Sequence, residues 1–205
     1  MRKPSGGWRF TIDYRALNKV ITNEGWQIPN MKDMLQRIGS LKPKVFGVAD
    51  LTQGFYQMPL DERCWPSTAF ISFRGIYEWK RVPMGLLPSA NFFQKSMSVH
   101  IFSGPLYRTC EVYIDDLLFH GQNDEDFVKN AREIFQTCRE KGVILSAKKS
   151  MIGMERVTFV GHDVDSEGLN MTEPRIASAI SFKTPESLKE LMSFLGLVKN
   201  ISGTT

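Results

Sequence analysis

The stretch CEVYIDDLLFHG, which runs from Cys110 to Gly121, places two aspartates side by side in apolar surroundings. Three apolar or aromatic residues precede Asp115 and three follow Asp116, a pattern typical of buried β-strand on both sides. Two neighbouring carboxylates repel each other by roughly 4 kcal/mol at about 4 Å and an effective dielectric constant of about 20. Burial of both carboxylates in a hydrophobic core would be destabilising unless another group offset their repulsion. The pair is therefore either a surface turn or a site for cations.

The composition is that of an ordinary soluble globular protein. The 205 residues are 42% hydrophobic and 23% charged, and the net charge of +4 weakly favours a polyanionic partner. The three cysteines are far apart and form no C-x-x-C motif, which predicts reduced, mostly buried thiols in an intracellular protein. No apolar run approaches the roughly 20 residues that cross a bilayer, so we expect no membrane partner.

Periodicity predicts several helices. The first is expected to begin after Asn30, as its N-cap, and to stop at Gly39; the second begins after Asn123 and closes at Gly142. A third covers SANFFQKSMSVHIF, and the last begins at residues 184–186. The side chains expected on the buried stripe of the second helix are Phe127, Ala131, Ile134, Phe135 and Cys138.

Strands are predicted for WRFTIDYRALN, KVFGVADL and VTFVGHDV, and a hairpin for STAFISF and YEWKRV on either side of RGI. The strands EVYI and LLFHG flank the aspartate pair itself. Strands, hairpins and helices in this irregular order indicate an α+β fold rather than a doubly wound parallel sheet.

A third carboxylate, Asp50, ends the apolar strand VFGVAD. Three carboxylates at two strand ends can form one oxygen-rich cage, and Mg²⁺ prefers oxygen ligands. Two such ions roughly 3.5–4 Å apart can activate an attacking oxygen and stabilise a leaving one. The flanking strands are too apolar for an exposed hairpin, and bound cations would remove the repulsion, so the pattern favours a metal site over a surface turn.

The motif Y-x-D-D, here Tyr113 to Asp116, with Asp50 upstream, resembles a reverse transcriptase. The resemblance covers nearly the whole chain. WRFTIDYRALN is similar to the fingers motif, ADLTQGFYQMPL to the first palm motif, and TAFIS and YEWKRVPMGLLPSANFFQ to the blocks that follow. SAKKSMIGMERVTFVGH is similar to the lysine motif and primer grip, and TPESLKELMSFLGLV to the start of the thumb. Their order resembles the pol polyprotein of gypsy-type long-terminal-repeat retrotransposons.

That resemblance implies a right-hand polymerase palm, an antiparallel sheet backed by helices, with partial fingers and a thumb stub. The implied boundaries are 1–25 and 58–83 for the fingers, 26–57 and 84–167 for the palm, and 168–205 for a truncated start of the thumb and connection. The implied reaction is RNA-directed DNA synthesis, in which a primer 3′-hydroxyl attacks the α-phosphate of a dNTP. The implied cofactors are two Mg²⁺ ions, with Mn²⁺ as a substitute.

The resemblance also assigns roles to individual residues. Asp50, Asp115 and Asp116 correspond to the catalytic metal-binding triad, with the Leu51 carbonyl as a further ligand. Lys149 corresponds to the lysine that protonates pyrophosphate, and a solvated surface lysine is the alternative. The nucleotide-binding positions are Arg2, Lys3, Arg9, Gln53, Gly54, Phe55 and Met84. The primer-grip positions are Val160, Gly161 and His162.

Phe55 corresponds to the steric gate that excludes a ribose 2′-hydroxyl. The alternative is that Phe55 belongs to the core and Tyr56 faces the cleft, because strand alternation lets only one of two neighbours face each way.

The chain departs from the family pattern in places. Met84 stands where many relatives carry Gln or Phe, LLPSAN replaces the more usual L-x-N-A-P-x, and the first fingers strands are absent before Met1. The implied partners are RNA or DNA template with primer, dNTPs, and the RNase H and integrase parts of a polyprotein, in a cytoplasmic retroelement particle. Truncation favours the competing hypothesis of a catalytically silent remnant that at most binds nucleic acid.

Overall fold

The computed structural model of the chain describes residue 6, residues 10–22 and residues 25–202. Arg2, Lys3 and Arg9, the predicted triphosphate contacts near the N-terminus, lie outside the described residues. The α-helices are α1 (Arg15–Asn18), α2 (Met31–Leu41), α3 (Gly54–Gln57), α4 (Ser89–Lys95), α5 (Asp124–Lys141), α6 (Glu173–Ile180) and α7 (Leu188–Ser202). The strands are β1 (Val45–Asp50), β2 (Phe70–Ser72), β3 (Gly75–Tyr77), β4 (Cys110–Tyr113), β5 (Asp116–Gly121), β6 (Met151–Met154), β7 (Arg156–Phe159), β8 (His162–Asp165) and β9 (Gly168–Met171). Within the described residues, no helix combines the length and apolar character that crossing a bilayer demands.

A four-stranded antiparallel sheet lies at the centre, with the strand order β4-β5-β1-β6. Its middle pair, β1 and β5, runs from Val45 opposite Gly121 to Asp50 opposite Asp116. β2 and β3 form a separate hairpin, and β7, β8 and β9 form a second antiparallel sheet. The predicted α+β class is therefore confirmed.

Side chains of the central sheet alternate between two faces, as the two-residue period of a strand requires. On one face, Leu117 and Phe119 pack in a core with Phe93 of α4 and Ile134 of α5. On the other face, Leu118 packs with residues of α2 and of the β7 and β8 strands. Burial on both faces explains why the strands around the aspartate pair are apolar at successive positions.

Helix α5 follows the sequence prediction closely. The Asn123 side chain accepts a hydrogen bond from the backbone N–H three residues on (2.9 Å), and Gly142 ends the helix at φ 70°. Phe135, predicted to be buried, is 38% exposed. Asn130 is buried instead, because its side chain donates to the His120 carbonyl (2.8 Å).

Helix α2 extends past its predicted end. The Asn30 side chain caps its start, accepting a hydrogen bond from the Lys32 N–H (2.9 Å). The stop at Gly39 is wrong, because the helix continues to Leu41 and Lys42 takes the left-handed cap position at φ 47°. A glycine inside a helix costs only about 1 kcal/mol, which the buried face of α2 offsets.

Three predicted strands are wrong. Of YEWKRV, only Tyr77 belongs to a strand, β3. VTFVGHDV forms the β7–β8 hairpin, because Val160 (φ 47°) and Gly161 (φ 78°) turn the chain back. In WRFTIDYRALN, residues 10–14 form no strand and lead into α1. There the Arg15 backbone and side chain both donate to the Asp13 carboxylate, a local pairing that competes with strand formation.

Two boundaries also differ from the prediction. The turn expected at RGI lies at Phe73–Arg74, because Gly75 already belongs to β3. The last helix begins at Leu188 rather than at 184–186, because the Ser187 hydroxyl accepts a hydrogen bond from a backbone N–H three residues on (3.2 Å) and so acts as its cap.

Candidate active site

The aspartate pair lies at the tight turn between β4 and β5. Tyr113 and Asp116 are the last paired positions, so Ile114 and Asp115 form the loop between them. Ile114 adopts φ 53°, a left-handed conformation that is strained for a β-branched residue. The predicted hairpin is therefore present, with a strained residue at its tip.

A buried glutamine of α4 holds that turn in place. The Gln94 side-chain oxygen accepts a hydrogen bond from the Ile114 N–H (2.7 Å), and its amide donates to the Val112 carbonyl (3.0 Å) and the Ser98 hydroxyl (3.1 Å). Gln94 is fully buried, so these bonds fix the backbone that carries the aspartate pair. Sequence reasoning missed this residue, because nothing in the local sequence of α4 distinguishes its glutamine from the other polar residues of the helix.

The three predicted triad residues come together at one end of the central sheet. Asp50 ends β1 directly opposite Asp116, and the Leu51 N–H donates to the Asp115 carbonyl (3.1 Å). All three aspartates are half-buried. Burial, and then the charges of Asp115 and Asp50, raise the pKa of Asp116 to about 6, while Lys149 acts in the opposite direction.

A lysine from a distant part of the chain neutralises Asp50. Lys149 Nζ donates to both carboxylate oxygens of Asp50, at 3.0 and 2.9 Å. Lys149 ends a single 3₁₀ turn, Ala147–Lys149, that leads into β6. The turn is anchored at the same strand end, because the Ser146 N–H donates to the Asp50 carbonyl (2.8 Å). The predicted catalytic lysine therefore contacts a predicted metal ligand.

The donor set of this cluster fits hard divalent cations. Three carboxylates offer only oxygen ligands, which Mg²⁺ and Mn²⁺ prefer. Asp50 lies opposite Asp116 across the paired strands, and Asp115 precedes Asp116 in the turn. As the described side chains stand, no three acidic, histidine or cysteine groups converge closely enough to hold a metal ion. Both oxygens of Asp50 are engaged by Lys149 instead.

The chain that follows β1 turns directly into α3. Gln53 takes the left-handed N-cap conformation (φ 51°), and Gly54 is buried against Phe93. A Cβ at Gly54 would lie 2.9 Å from the Phe93 ring, so glycine is the residue that fits without a shift. Gln57 secures α3, because its amide donates to the Ile144 carbonyl (2.9 Å) and its oxygen accepts from the Ile144 N–H (2.9 Å).

The two aromatic residues of α3 contact different partners. Phe55 stacks on Phe93 and Tyr56 stacks on Trp79, each with ring centroids 5.0 Å apart. The strand alternation expected for this pair is wrong, because both residues belong to a helix, where neighbours point about 100° apart. Both side chains are half-buried, so the gate role of Phe55 stays a prediction.

The remaining predicted site residues lie on other elements. Met84 is half-buried in the connection between β3 and α4. Val160 and Gly161 form the β7–β8 turn, and the buried His162 begins β8. The structure thus brings Lys149 to the triad, while Met84 and the predicted primer grip belong to separate segments of the fold.

A half-buried ion pair ties α2 to the strand that leads into the aspartate turn. Arg37 donates to both oxygens of Glu111, at 2.9 and 3.1 Å, and its guanidinium lies 4.6 Å from the centre of the Tyr107 ring. Burial raises the pKa of Glu111, although Arg37 opposes the shift. Sequence reasoning missed this pair, because no local pattern links residues 74 positions apart.

A separate cavity of about 680 Å³ opens beside α4. Trp26, Leu60 and Phe92 contribute to its mainly apolar lining. Among the described residues, no predicted site residue lines this cavity, so it is distinct from the carboxylate cluster.

Comparison with known proteins identifies the family. Residues 1–164 match the family described as "Reverse transcriptase (RNA-dependent DNA polymerase)". The chain belongs to the reverse transcriptase family. The "Enzymatic polyprotein" of Cauliflower mosaic virus (strain Strasbourg) is 34% identical over 201 residues, which cover 96% of this chain and 28% of that protein. The "Retrovirus-related Pol polyprotein from transposon 412" of Drosophila melanogaster is 36% identical over 162 residues, which cover 79% of this chain and 13% of that protein.

Solved reverse transcriptase structures share the fold. A foamy viral protease-reverse transcriptase in complex with double-stranded DNA has a TM-score of 0.82 at 30% identity, covering 98% of this chain and 34% of that one. A second foamy viral structure, in complex with an RNA/DNA hybrid, has a TM-score of 0.76 at 29% identity, covering 97% of this chain and 26% of that one. The predicted polymerase palm is therefore confirmed. This reverse transcriptase chain spans 28% of the length of the Cauliflower mosaic virus polyprotein.

Proposed function

We propose that this chain is an RNA-directed DNA polymerase domain that transfers nucleotides from dNTPs to a primer 3′-hydroxyl. The observation that carries the proposal is the placement of Asp50 opposite Asp116, with Asp115 in the adjoining turn. In this reaction the primer 3′-oxygen bonds to the α-phosphorus, the bond to pyrophosphate breaks, and the hydroxyl proton is released. Charge develops on the attacking and leaving oxygens, which a carboxylate-held cation site is suited to stabilise.

The three carboxylates would hold two Mg²⁺ ions, or Mn²⁺ as a substitute, with the Leu51 carbonyl as a further ligand. Such ions, when bound, activate the attacking hydroxyl and stabilise the leaving group. The contribution of the chain itself is to hold the proposed metal ligands in fixed positions. Asp50 and Asp116 face each other across paired strands, and Gln94 fixes the turn that carries Asp115. Ligands held on strands and on a clamped turn suit a reaction that depends on precise placement.

Residues around the cluster are proposed to bind the nucleotide and the primer. The proposed nucleotide contacts are Arg2, Lys3, Arg9, Gln53, Gly54, Phe55 and Met84. Phe55 is the proposed steric gate, and Lys149 the proposed proton donor to pyrophosphate. The proposed primer grip is Val160, Gly161 and His162. For Gln53, Gly54 and Phe55, support comes from their position directly after the strand end that carries Asp50.

The proposed subdomain boundaries follow the same resemblance. Residues 1–25 and 58–83 are assigned to the fingers, and residues 26–57 and 84–167 to the palm. Residues 168–205 are assigned to the start of the thumb. The central sheet and the helices that cover it fall within the proposed palm, which supports this division.

The proposed partners are a primer on an RNA or DNA template and the RNase H and integrase parts of a pol polyprotein. The foamy viral structures contain double-stranded DNA and an RNA/DNA hybrid, which supports a duplex as ligand. Similarity to transposon 412 supports a gypsy-type element as the source, and the Cauliflower mosaic virus polyprotein makes a viral source the competing assignment. The proposed location is a cytoplasmic particle, in keeping with three free cysteines.

Primer extension by the purified chain tests the proposal. A labelled DNA primer on an RNA template, with dNTPs and Mg²⁺, is expected to lengthen, and EDTA is expected to stop the reaction. A DNA template of the same sequence measures template preference. Binding of the primer–template without any extension, with either Mg²⁺ or Mn²⁺, would contradict the proposal and favour a silent nucleic-acid-binding fragment.

A further inference from the structure

The ion pair between Lys149 and Asp50 engages the atoms that a metal ion would need. Lys149 Nζ lies 3.0 and 2.9 Å from the two carboxylate oxygens of Asp50. An ammonium group and a divalent cation repel each other, so the two compete for the oxygens of Asp50. Metal binding at Asp50 is therefore expected to displace Lys149.

We propose that Lys149 is a positioning residue, an internal counter-ion that holds Asp50 in the metal-free protein and is released when a divalent cation binds. The inference rests on the proposed function, because it takes the triad as the metal site.

The exposure of the Lys149 side chain suits a group that binds Asp50 and can also be released from it. Its side chain is 66% exposed, whereas that of Asp50 is 23% exposed, so withdrawal moves the lysine towards solvent and uncovers little of the core. The backbone stays anchored when the side chain leaves, because the Lys149 N–H donates to the Ser146 carbonyl (3.0 Å), as does the Ser150 hydroxyl (2.8 Å).

The exchange would couple metal binding to the proposed proton transfer. In the ion pair, two of the three N–H donors of Lys149 Nζ are engaged by Asp50, which holds the ammonium group at the carboxylate. Once released, the ammonium group is free to give a proton to a pyrophosphate oxygen, which leaves a neutral amine on Lys149. The proton donor thus becomes available only after the cation has taken its place at Asp50.

Titration of the full chain with Mn²⁺, followed by the electron paramagnetic resonance signal of free Mn²⁺, tests this inference. Lys148 is exposed in the same turn, so Lys148→Gln removes an equal charge and leaves the Lys149 ion pair in place. Lys149→Gln is expected to bind Mn²⁺ about fivefold more tightly than Lys148→Gln, the effect of about 1 kcal/mol from an exposed ion pair. Lys149→Arg is expected to restore an affinity close to that of the wild type.

Melting temperature in EDTA supplies an independent readout that needs no metal. Lys149→Gln is expected to melt about 2–4 °C below Lys148→Gln, because the former leaves Asp50 without its counter-ion. Equal Mn²⁺ affinities of these two variants, or equal melting temperatures, would overturn the inference.

Asp116→Asn distinguishes that failure from failure of the proposed function. Loss of Mn²⁺ binding in Asp116→Asn would locate the metal at the triad, and the proposed metal site would then stand even where the two lysine variants behave alike. A wild-type chain that binds no Mn²⁺ would overturn both the metal site and the inference.

Discussion

Asp116 is a carboxyl group of the site whose pKa is raised by its surroundings. Burial makes the largest contribution to its raised pKa, and the charges of Asp115 and Asp50 add to it. A carboxyl group whose pKa is higher in the folded state binds its proton more tightly when folded than when unfolded. The folded state is therefore favoured while Asp116 is protonated, and this advantage disappears as the carboxyl ionises.

The metal-free protein is expected to lose stability as the pH rises through this range. The contribution of Asp116 is fully present below its ordinary pKa of 3.8 and is lost as the pH rises through its folded pKa of about 6. Asp116→Asn cannot ionise at this position. Its free energy of unfolding should therefore rise relative to that of the wild type between about pH 4 and about pH 7. Urea unfolding in EDTA measures the difference. A difference that does not change with pH would contradict the raised pKa.

Phe55→Val tests the proposed gate. Removing the ring is expected to admit ribonucleotides, shifting sugar selectivity about tenfold or more, with each tenfold worth about 1.4 kcal/mol. Incorporation of dNTPs should fall only modestly. Single-nucleotide extension with matched ribo- and deoxynucleotides measures the ratio, and Phe135→Val, on the half-exposed side of α5, is the control. Unchanged selectivity together with a lowered melting temperature would assign Phe55 to the core beside Phe93.

The clamp between α4 and the β4–β5 hairpin is the contact between elements that matters most for the site. Gln94 joins the two through Ile114 and Val112, on either side of Tyr113. The strained φ of Ile114 persists because this buried side chain satisfies its N–H. The helix thus contributes directly to the shape of the turn that carries Asp115.

Gln94→Met keeps the approximate volume of the side chain and removes its hydrogen bonds. The Ile114 N–H and the Val112 carbonyl then lose a buried partner, so the free energy of unfolding should fall by about 3 kcal/mol. Gln136→Met, on the exposed surface of α5, should change it by less than about 0.5 kcal/mol. Urea unfolding of both variants measures the contrast, and similar values for the two would show that Gln94 is not a clamp.

Elements with a strong local pattern could be predicted from the sequence. The caps of α5 at Asn123 and Gly142 and the apolar strands that flank the aspartates are examples. The β7–β8 turn could not be predicted, because Val160 takes a positive φ that its branched side chain disfavours. The Lys149–Asp50 ion pair joins residues 99 positions apart, a contact that no local pattern records.

In the whole molecule, the candidate site draws on segments that are distant in sequence and adjacent in the sheet. The order β4-β5-β1-β6 places Asp50 between the aspartate turn and the segment that carries Lys149. The motif resemblance could predict the three aspartates, of which Asp50 ends β1, Asp116 begins β5 and Asp115 lies in the turn before it. Only the folded sheet shows that a cation of the chain itself is paired with one of them.

Binding of nucleic acid should depend strongly on salt. The net charge of the chain is only +4, so we expect weak binding through a few phosphate contacts. Affinity for a primer–template should fall by roughly tenfold or more between about 50 and about 200 mM salt. Fluorescence anisotropy with a labelled duplex measures this dependence. Tight binding that persists at high salt would show that apolar or base contacts dominate instead.

The most direct test of the central claim is primer extension by Asp115→Asn beside the wild type and Asp163→Asn. Asp163 lies on β8 and accepts a hydrogen bond from the Thr158 hydroxyl (2.7 Å), so its replacement removes an equal charge outside the triad. We predict that the wild type and Asp163→Asn extend the primer in Mg²⁺. Asp115→Asn should melt at or above the wild-type temperature, because the repulsion between the neighbouring carboxylates is relieved. It should extend nothing, because a neutral amide is a poor ligand for the cation. Extension by Asp115→Asn at the wild-type rate would contradict the assignment of these aspartates as the metal-binding catalytic site.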